Sequence, residues 1–136
     1  MNWTLEVLCV PVSDVDLAKS FYAEKVGFRL DHDVVRGADY RIVQLTPPGS
    51  GCSIVIGTVT TMAPGSLSGM QLVIPDVRAA RAELAARGVE VSEVQAFGHE
   101  GDSSELAIGE LDNVGFCYFS DPDGNSWAVQ QISSRG

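Results

Sequence analysis

The sequence predicts an α+β protein built from two consecutive β-α-β-β-β modules, and three observations predict it. Asp14 and Asp76 each precede an apolar stripe of one spacing, Val15, Ala18, Tyr22 and Val77, Ala80, Leu84, at i, i+3 and i+7. Gly27 and Gly88 then stop the two helices, so the modules are offset by 62 at the aspartates (76 − 14) and by 61 at the glycines (88 − 27). Last, the turn Asp121-Pro122-Asp123-Gly124-Asn125 and the run after it have an earlier echo in residues 48–56. Setting Gly51 on Gly124 puts Ser53 on Ser126 and Val55 on Ala128.

Taken in order, residues 5–12 form an apolar, β-leaning run, closed by Ser13 and Asp14, either of which can cap a helix. Leu17 and Phe21 are expected to widen the helical stripe. Strands follow over residues 28–35, 40–46 and 53–57. Residues 58–68, rich in Thr, Gly, Ser and Pro, read as a linker, so module one covers about 1–57 and module two about 69–136 of a single domain. In the second module Met70, Leu72 and Ile74 alternate with Gly69, Gln71 and Val73 in a strand with one apolar face. A helix capped by Asp76 ends at Gly88, and residues 89–95 are the next strand. The last two strands flank the Asp121 turn, where proline fixes φ, glycine takes φ > 0, and Asp and Asn bond their own backbone. Residues 96–112 have no counterpart in module one and read as a long acidic loop of the kind that covers sites.

At 136 residues, 45% hydrophobic, the chain can bury a core. Its net charge of −9 repels phosphate backbones and anionic surfaces, which argues against nucleic acid and membrane partners. No secretory pattern or bilayer-length apolar run is present, so a cytoplasmic protein is expected. Cys9, Cys52 and Cys117 are widely spaced in apparent strands, without a C-x-x-C, and are expected to be buried reduced thiols.

Two such modules in tandem, with Val12-Ser13-Asp14, Phe21-Tyr22, Val26-Gly27-Phe28 and the Asp-Pro-Asp-Gly-Asn turn, resemble the vicinal oxygen chelate superfamily of glyoxalases, bleomycin resistance proteins and extradiol dioxygenases. The resemblance implies one cup-shaped glyoxalase-like domain: each module curls its sheet, the two cups face each other, and a small molecule binds between them. It also implies pairing of chains into a homodimer. Metal-using members carry His and Glu ligands on the first and last strand of each module. The matching positions here are Val7, Gly69, Ala128 and, through the repeat, Val55. None has a side-chain donor, whereas zinc, iron and nickel need N, O or S ligands. A one-residue slip would bring in only one candidate, Glu6. No metal and no other cofactor is therefore expected.

What remains is a mostly apolar cup of Val7, Val55 and Ala128, joined by Leu5 and Cys9. Gln71 and Gln130 share the parity of Gly69 and Ala128, and Gln44 lies on the third strand. These glutamines either point into the cup as its polar anchors or sit at exposed strand ends. Trp127 and Phe116 can stack on a planar ligand, although the parity of Trp127 places it under the second helix. His32, between Asp31 and Asp33, reads as part of a solvated face. His99, within His99-Glu100-Gly101-Asp102, is either a hydrated loop residue or a general base. The expected function is metal-independent binding of a small apolar or aromatic molecule, as in the drug-sequestering branch. The alternatives are a metal-free lyase or isomerase using His99, and a metalloenzyme with displaced ligands.

Overall fold

The computed structural model describes residues 1–135. The chain divides into two compact units, residues 1–67 with 121–125, and residues 68–120 with the segment from 126 onward. The first holds β1 (Val7–Cys9), α1 (Val15–Ser20) running into a π-helical stretch Phe21–Val26, β2 (Arg29–Arg36), β3 (Tyr40–Thr46) and β4 (Ser53–Gly57). Its sheet has the order β1-β4-β3-β2, with β1 parallel to β4 and the other pairs antiparallel. Asp14 caps α1, accepting from the Leu17 amide at 3.0 Å, and Gly27 ends the helical run at φ +93°. Tyr22, Val43, Leu45 and Ile56 are fully buried on the helix side of this sheet. The Tyr22 ring stacks on Phe28 at 5.7 Å and meets Phe21 edge-on at 5.2 Å.

Two expectations for this unit are corrected, and a third, the buried Phe21, holds. The first strand is Val7–Cys9 rather than residues 5–12, and Leu5, 65% exposed, lies ahead of it. Leu17 does not widen the stripe, being 53% exposed. At 3.6 residues per turn it sits about 200° round the helix from Val15. Phe21 is buried because the wider π-helical turn begins there.

The Asp121 turn packs within this first unit. Asp121 Oδ1 accepts from the amides of Asp123, Gly124 and Asn125 at 2.9–3.0 Å. Its Oδ2 accepts from the Tyr22 hydroxyl and from Asn125 Nδ2, both at 2.7 Å. Asn125, fully buried, also donates to the Pro11 carbonyl at 2.8 Å and accepts from the Leu67 amide at 3.1 Å. Asp123 accepts from the Ser13 hydroxyl at 2.6 Å. The linker passes so near that a Cβ on Gly65 would lie 2.1 Å from the Asp123 carbonyl oxygen.

A charged network ties α1 to the sheet. Asp33 on β2 accepts from Arg41 at 2.9 Å and Lys19 at 2.7 Å, and Arg41 also reaches Asp16 at 2.8 Å. Hydrogen bonds from Arg41 first, then Lys19, pull the Asp33 carboxyl down to about 2. A depressed carboxylate adds stability above its unfolded pKa, and that stability is lost as pH falls through the folded value. Relative to Asp33→Asn, the wild-type protein should therefore lose roughly 1 kcal/mol of extra stability between about pH 4 and 2, solvent screening having reduced a larger nominal effect. Urea midpoints of both proteins across that window check it; parallel pH profiles would remove the network from the account.

The second unit holds β5 (Met70–Ile74), α2 (Val77–Ala86), β6 (Gln95–Ala96), β7 (Gly115–Ser120) and β8 (Ser126–Gln131), in the order β5-β8-β7-β6. This is the topology of the first sheet, with β5 parallel to β8. Asp76 caps α2 through the Ala79 amide at 3.0 Å. Val77, Leu84, Phe119, Trp127, Val129 and Cys117 are all buried, and Trp127 stacks on Phe119 at 6.1 Å. Burial raises the Cys117 thiol to about 11, whereas Cys9 and Cys52 are only partly buried. Leu84→Ala should cost about 2–5 kcal/mol; an unmoved denaturant midpoint would show that the stripe is not core.

Residues 89–95 are not the expected strand. Only an isolated bridge, Val91 to Phe119, and the two-residue β6 pair with β7. The Ser92 carbonyl is taken by Arg81 Nε at 2.9 Å, and the Ser92 hydroxyl, not a backbone carbonyl, accepts from the Tyr118 amide at 2.9 Å. A side chain thus replaces one rung of the ladder and interrupts it. The loop beyond contains two short 3₁₀ turns, Ser103–Glu105 and Ile108–Leu111. Buried Gln131 holds its end, donating to the Ile108 carbonyl at 2.7 Å and to Asp112 at 2.9 Å while accepting from the Val77 amide at 3.1 Å.

Candidate functional site

Each sheet turns one face to its helix, and the eight residues singled out from the sequence fall into two groups of four on the opposite faces, which we call the open faces. On that of the first sheet Val55, Ser53 and Thr46 are themselves buried among their neighbours. In the first unit, strand register sets Cys9 beside Val55 and Val55 beside Gln44, with Val7 beside Ser53. These side chains share the open face because pairing partners and alternate residues project to the same side. Thr46, Ser53 and Asp31 complete it. Thr46 donates to Asp31 in a very short hydrogen bond and its hydroxyl lies 2.7 Å from that of Ser53. Gln44 Nε2 is 3.4 Å from Ser53 Oγ. The bulge between Leu30 and His32 brings Asp31 to this row, and Arg29 contacts it at 3.0 Å. His32 is exposed and pairs in register with Gln44.

In the second unit, β8 lies between β5 and β7, so Ala128 is flanked by Gln71 on one side and Tyr118 on the other. Gln130 lies between Val73 and Phe116. The Phe116 and Tyr118 rings are parallel within 6°, with centroids 6.2 Å apart. Gln71 Nε2 donates to Gln130 Oε1 at 2.5 Å, and Gln130 Nε2 donates to the Asn113 carbonyl at 2.8 Å. Gly69 stands just ahead of β5 at φ +83°, a conformation that strains any side chain.

The sequence reading left out Tyr118, Val73, Thr46 and Ser53. Tyr118 is the internal counterpart of Gln44: Gln44 pairs with Val55 as Tyr118 pairs with Ala128. The loop between β3 and β4 spans residues 47–52, but that between β7 and β8 spans only 121–125. One residue fewer shifts the repeat offset across the turn, and counting parity outward from each turn would have found the tyrosine.

The metal set of the resembled family does not fit here. Val7, Val55, Gly69 and Ala128 have no donor atoms, and among the described residues no group of three or more His, Cys, Asp or Glu is placed to hold an ion. His99 is on neither open sheet face. It lines a cavity of about 400 Å³ with Glu93, Gln95, Asp102 and Ser103. There the Ser104 amide and hydroxyl hold the Asp102 carboxyl below its ordinary range.

The description Glyoxalase/Bleomycin resistance protein/Dioxygenase superfamily matches residues 4–129. The chain belongs to this superfamily. Among solved structures it is similar to TnmS3, an antibiotic binding protein from Streptomyces sp. CB03234. The two are 37% identical, with 97% of this chain and 98% of that one covered at a TM-score of 0.74. It is equally 37% identical to a glyoxalase/bleomycin resistance protein from the same organism, over 94% and 100% of the chains, at a TM-score of 0.70. A superfamily member from Sphaerobacter thermophilus DSM 20745, 24% identical over 96% and 98% with a TM-score of 0.74, shares the fold. No curated protein matches the chain. Among the described residues no helix is long and apolar enough to cross a membrane.

Proposed function

We propose that this superfamily member binds a small, largely apolar or aromatic molecule without a metal ion, as a drug-sequestering protein related to the antibiotic-binding TnmS3. The observation that carries the reading is the open face of the second sheet. There the stacked Phe116 and Tyr118 rings lie beside the small Ala128 in an apolar patch, with the Gln71–Gln130 amide pair on the same face. Such a surface suits a planar ligand, with the amides fixing its orientation. Val7 and Cys9, flanking the buried Val55, supply a second, smaller apolar patch with Gln44 as its polar anchor. The two modules act as one domain of a cytoplasmic homodimer. The outer edge of β1, which no strand pairs among the described residues and which exposed Trp3 and Leu5 precede, supports a partner chain there.

Elemental analysis of gently purified protein should find zinc, iron, nickel and manganese well below one equivalent, and chelator should leave ligand affinity unchanged. A tightly held equivalent whose removal abolishes binding would defeat the metal-free reading. A second reading, a metal-free lyase or isomerase, is favoured only by the grouping of His99 with Glu93 and Asp102 in one cavity. In that case His99→Ala should lower turnover by about 10²–10⁴-fold while binding persists.

A further inference from the structure

We propose that the open sheet faces are hydrogen-bonded so as to present amide carbonyl oxygens, Gln44 Oε1 on one and Gln71 Oε1 on the other, and thereby select ligands that carry O–H donors, phenols above all. This rests on the binding role proposed above and adds the chemistry of the ligand.

The direction of each chain of hydrogen bonds is set by a group that can only accept. In the first unit that group is Asp31. Donation by Thr46 first, then by Arg29, holds its carboxyl below the ordinary range, so it is ionised at neutral pH and has no proton to give. Thr46 must donate to Asp31. A hydroxyl has one proton, so across the 2.7 Å contact between Thr46 and Ser53 it is Ser53 that donates. Ser53 can then only accept from Gln44, which turns the Gln44 NH₂ group toward it at 3.4 Å. Gln44 Oε1 is left over, next to Val55 on the open face.

In the second unit the fixed acceptor is the Asn113 backbone carbonyl. The group of Gln130 facing it at 2.8 Å must be the NH₂. Gln130 Oε1 therefore faces Gln71, whose NH₂ donates at 2.5 Å. Gln71 Oε1 remains, on the face that carries Ala128 and the Phe116–Tyr118 pair. Two unrelated anchors thus lead to one outcome, a glutamine carbonyl as the terminal atom. An apolar ligand laid over such an oxygen strips its water without replacement, whereas a phenol restores the bond.

The probes are 2-naphthol and 2-methoxynaphthalene, planar molecules that differ in whether the oxygen carries a proton. They are titrated calorimetrically into the full chain, Gln44→Met and Gln71→Met, with urea midpoints confirming that each variant is folded. The wild-type protein should prefer the naphthol by about tenfold or more, and the preference should shrink toward unity as these glutamines are replaced. Equal wild-type affinities would overturn this inference alone and leave the binding role standing. A preference that survives in both variants would equally overturn the assignment to these glutamines. Failure of both probes to bind at millimolar concentration would overturn the inference and the aromatic-binding role together. Equal wild-type affinities overturn the inference with no variant needed, and Gln44→Leu or Gln71→Leu replaces a methionine variant that does not fold.

Discussion

Asp121→Ala is expected to destabilise the protein by about 3–5 kcal/mol, the largest loss of stability for any single change considered in the turn. The Asp121 side chain, 5% exposed, gathers three backbone amides, the Tyr22 hydroxyl and Asn125 Nδ2 on its two oxygens. Alanine takes one acceptor from each of the five. The Gly124 amide keeps the Asp121 carbonyl and Asn125 Nδ2 keeps the Pro11 carbonyl, but the buried Asn125 amide loses its side-chain acceptor, and buried donors without partners cost more than the bond itself contributes. Tyr22→Phe removes one of the five and should cost only about 1 kcal/mol. Asp121→Asn should fall between them, because Asn keeps an acceptor for the backbone amides but sets an NH₂ group against that of Asn125. Urea unfolding of the three variants tests the ranking. A shift below about 1 kcal/mol for Asp121→Ala would mean that the turn does not organise the first unit.

The largest functional effect is expected from Ala128→Trp. Ala128 sits on the central strand of its sheet, between Gln71 and Tyr118, on the face away from α2. An indole there fills the space beside the stacked Phe116–Tyr118 pair without entering the core, and aromatic residues suit a strand. Affinity for an aromatic ligand should fall by about 100-fold or more, the scale of a fully blocked contact surface, with the unfolding midpoint close to wild type. His99→Ala, in the separate cavity lined by Glu93 and Asp102, should leave affinity as it was. The contrast distinguishes ligand on the sheet from ligand in the loop cavity.

Much of this was legible in the sequence, where short-range chemistry decides. Asp14 and Asp76 cap their helices because their carboxylates reach amides three residues on. The strands Tyr40–Thr46 and Ser53–Gly57 lie where alternation and turn residues place them. Parity alone grouped Gln71 with Gln130, and Trp127 with the core. The failures came where partners distant in sequence decide. Nothing near residue 92 announces that Arg81 will claim its carbonyl and break the expected strand. Thr46 and Ser53 read as strand residues until the β2 bulge brings Asp31 to them. Tyr118 was hidden by a turn one residue shorter than its counterpart.

The central claim, metal-free binding on the open sheet faces, is tested most directly by one calorimetric experiment. Chelator-treated wild-type protein and Ala128→Trp are titrated with the same panel of planar aromatic antibiotics. The expected result is at least one ligand bound by the metal-stripped wild type and lost, by about 100-fold or more, in the variant. Binding that returns only when zinc, iron, nickel or manganese is added back, or that is untouched by Ala128→Trp, would contradict it.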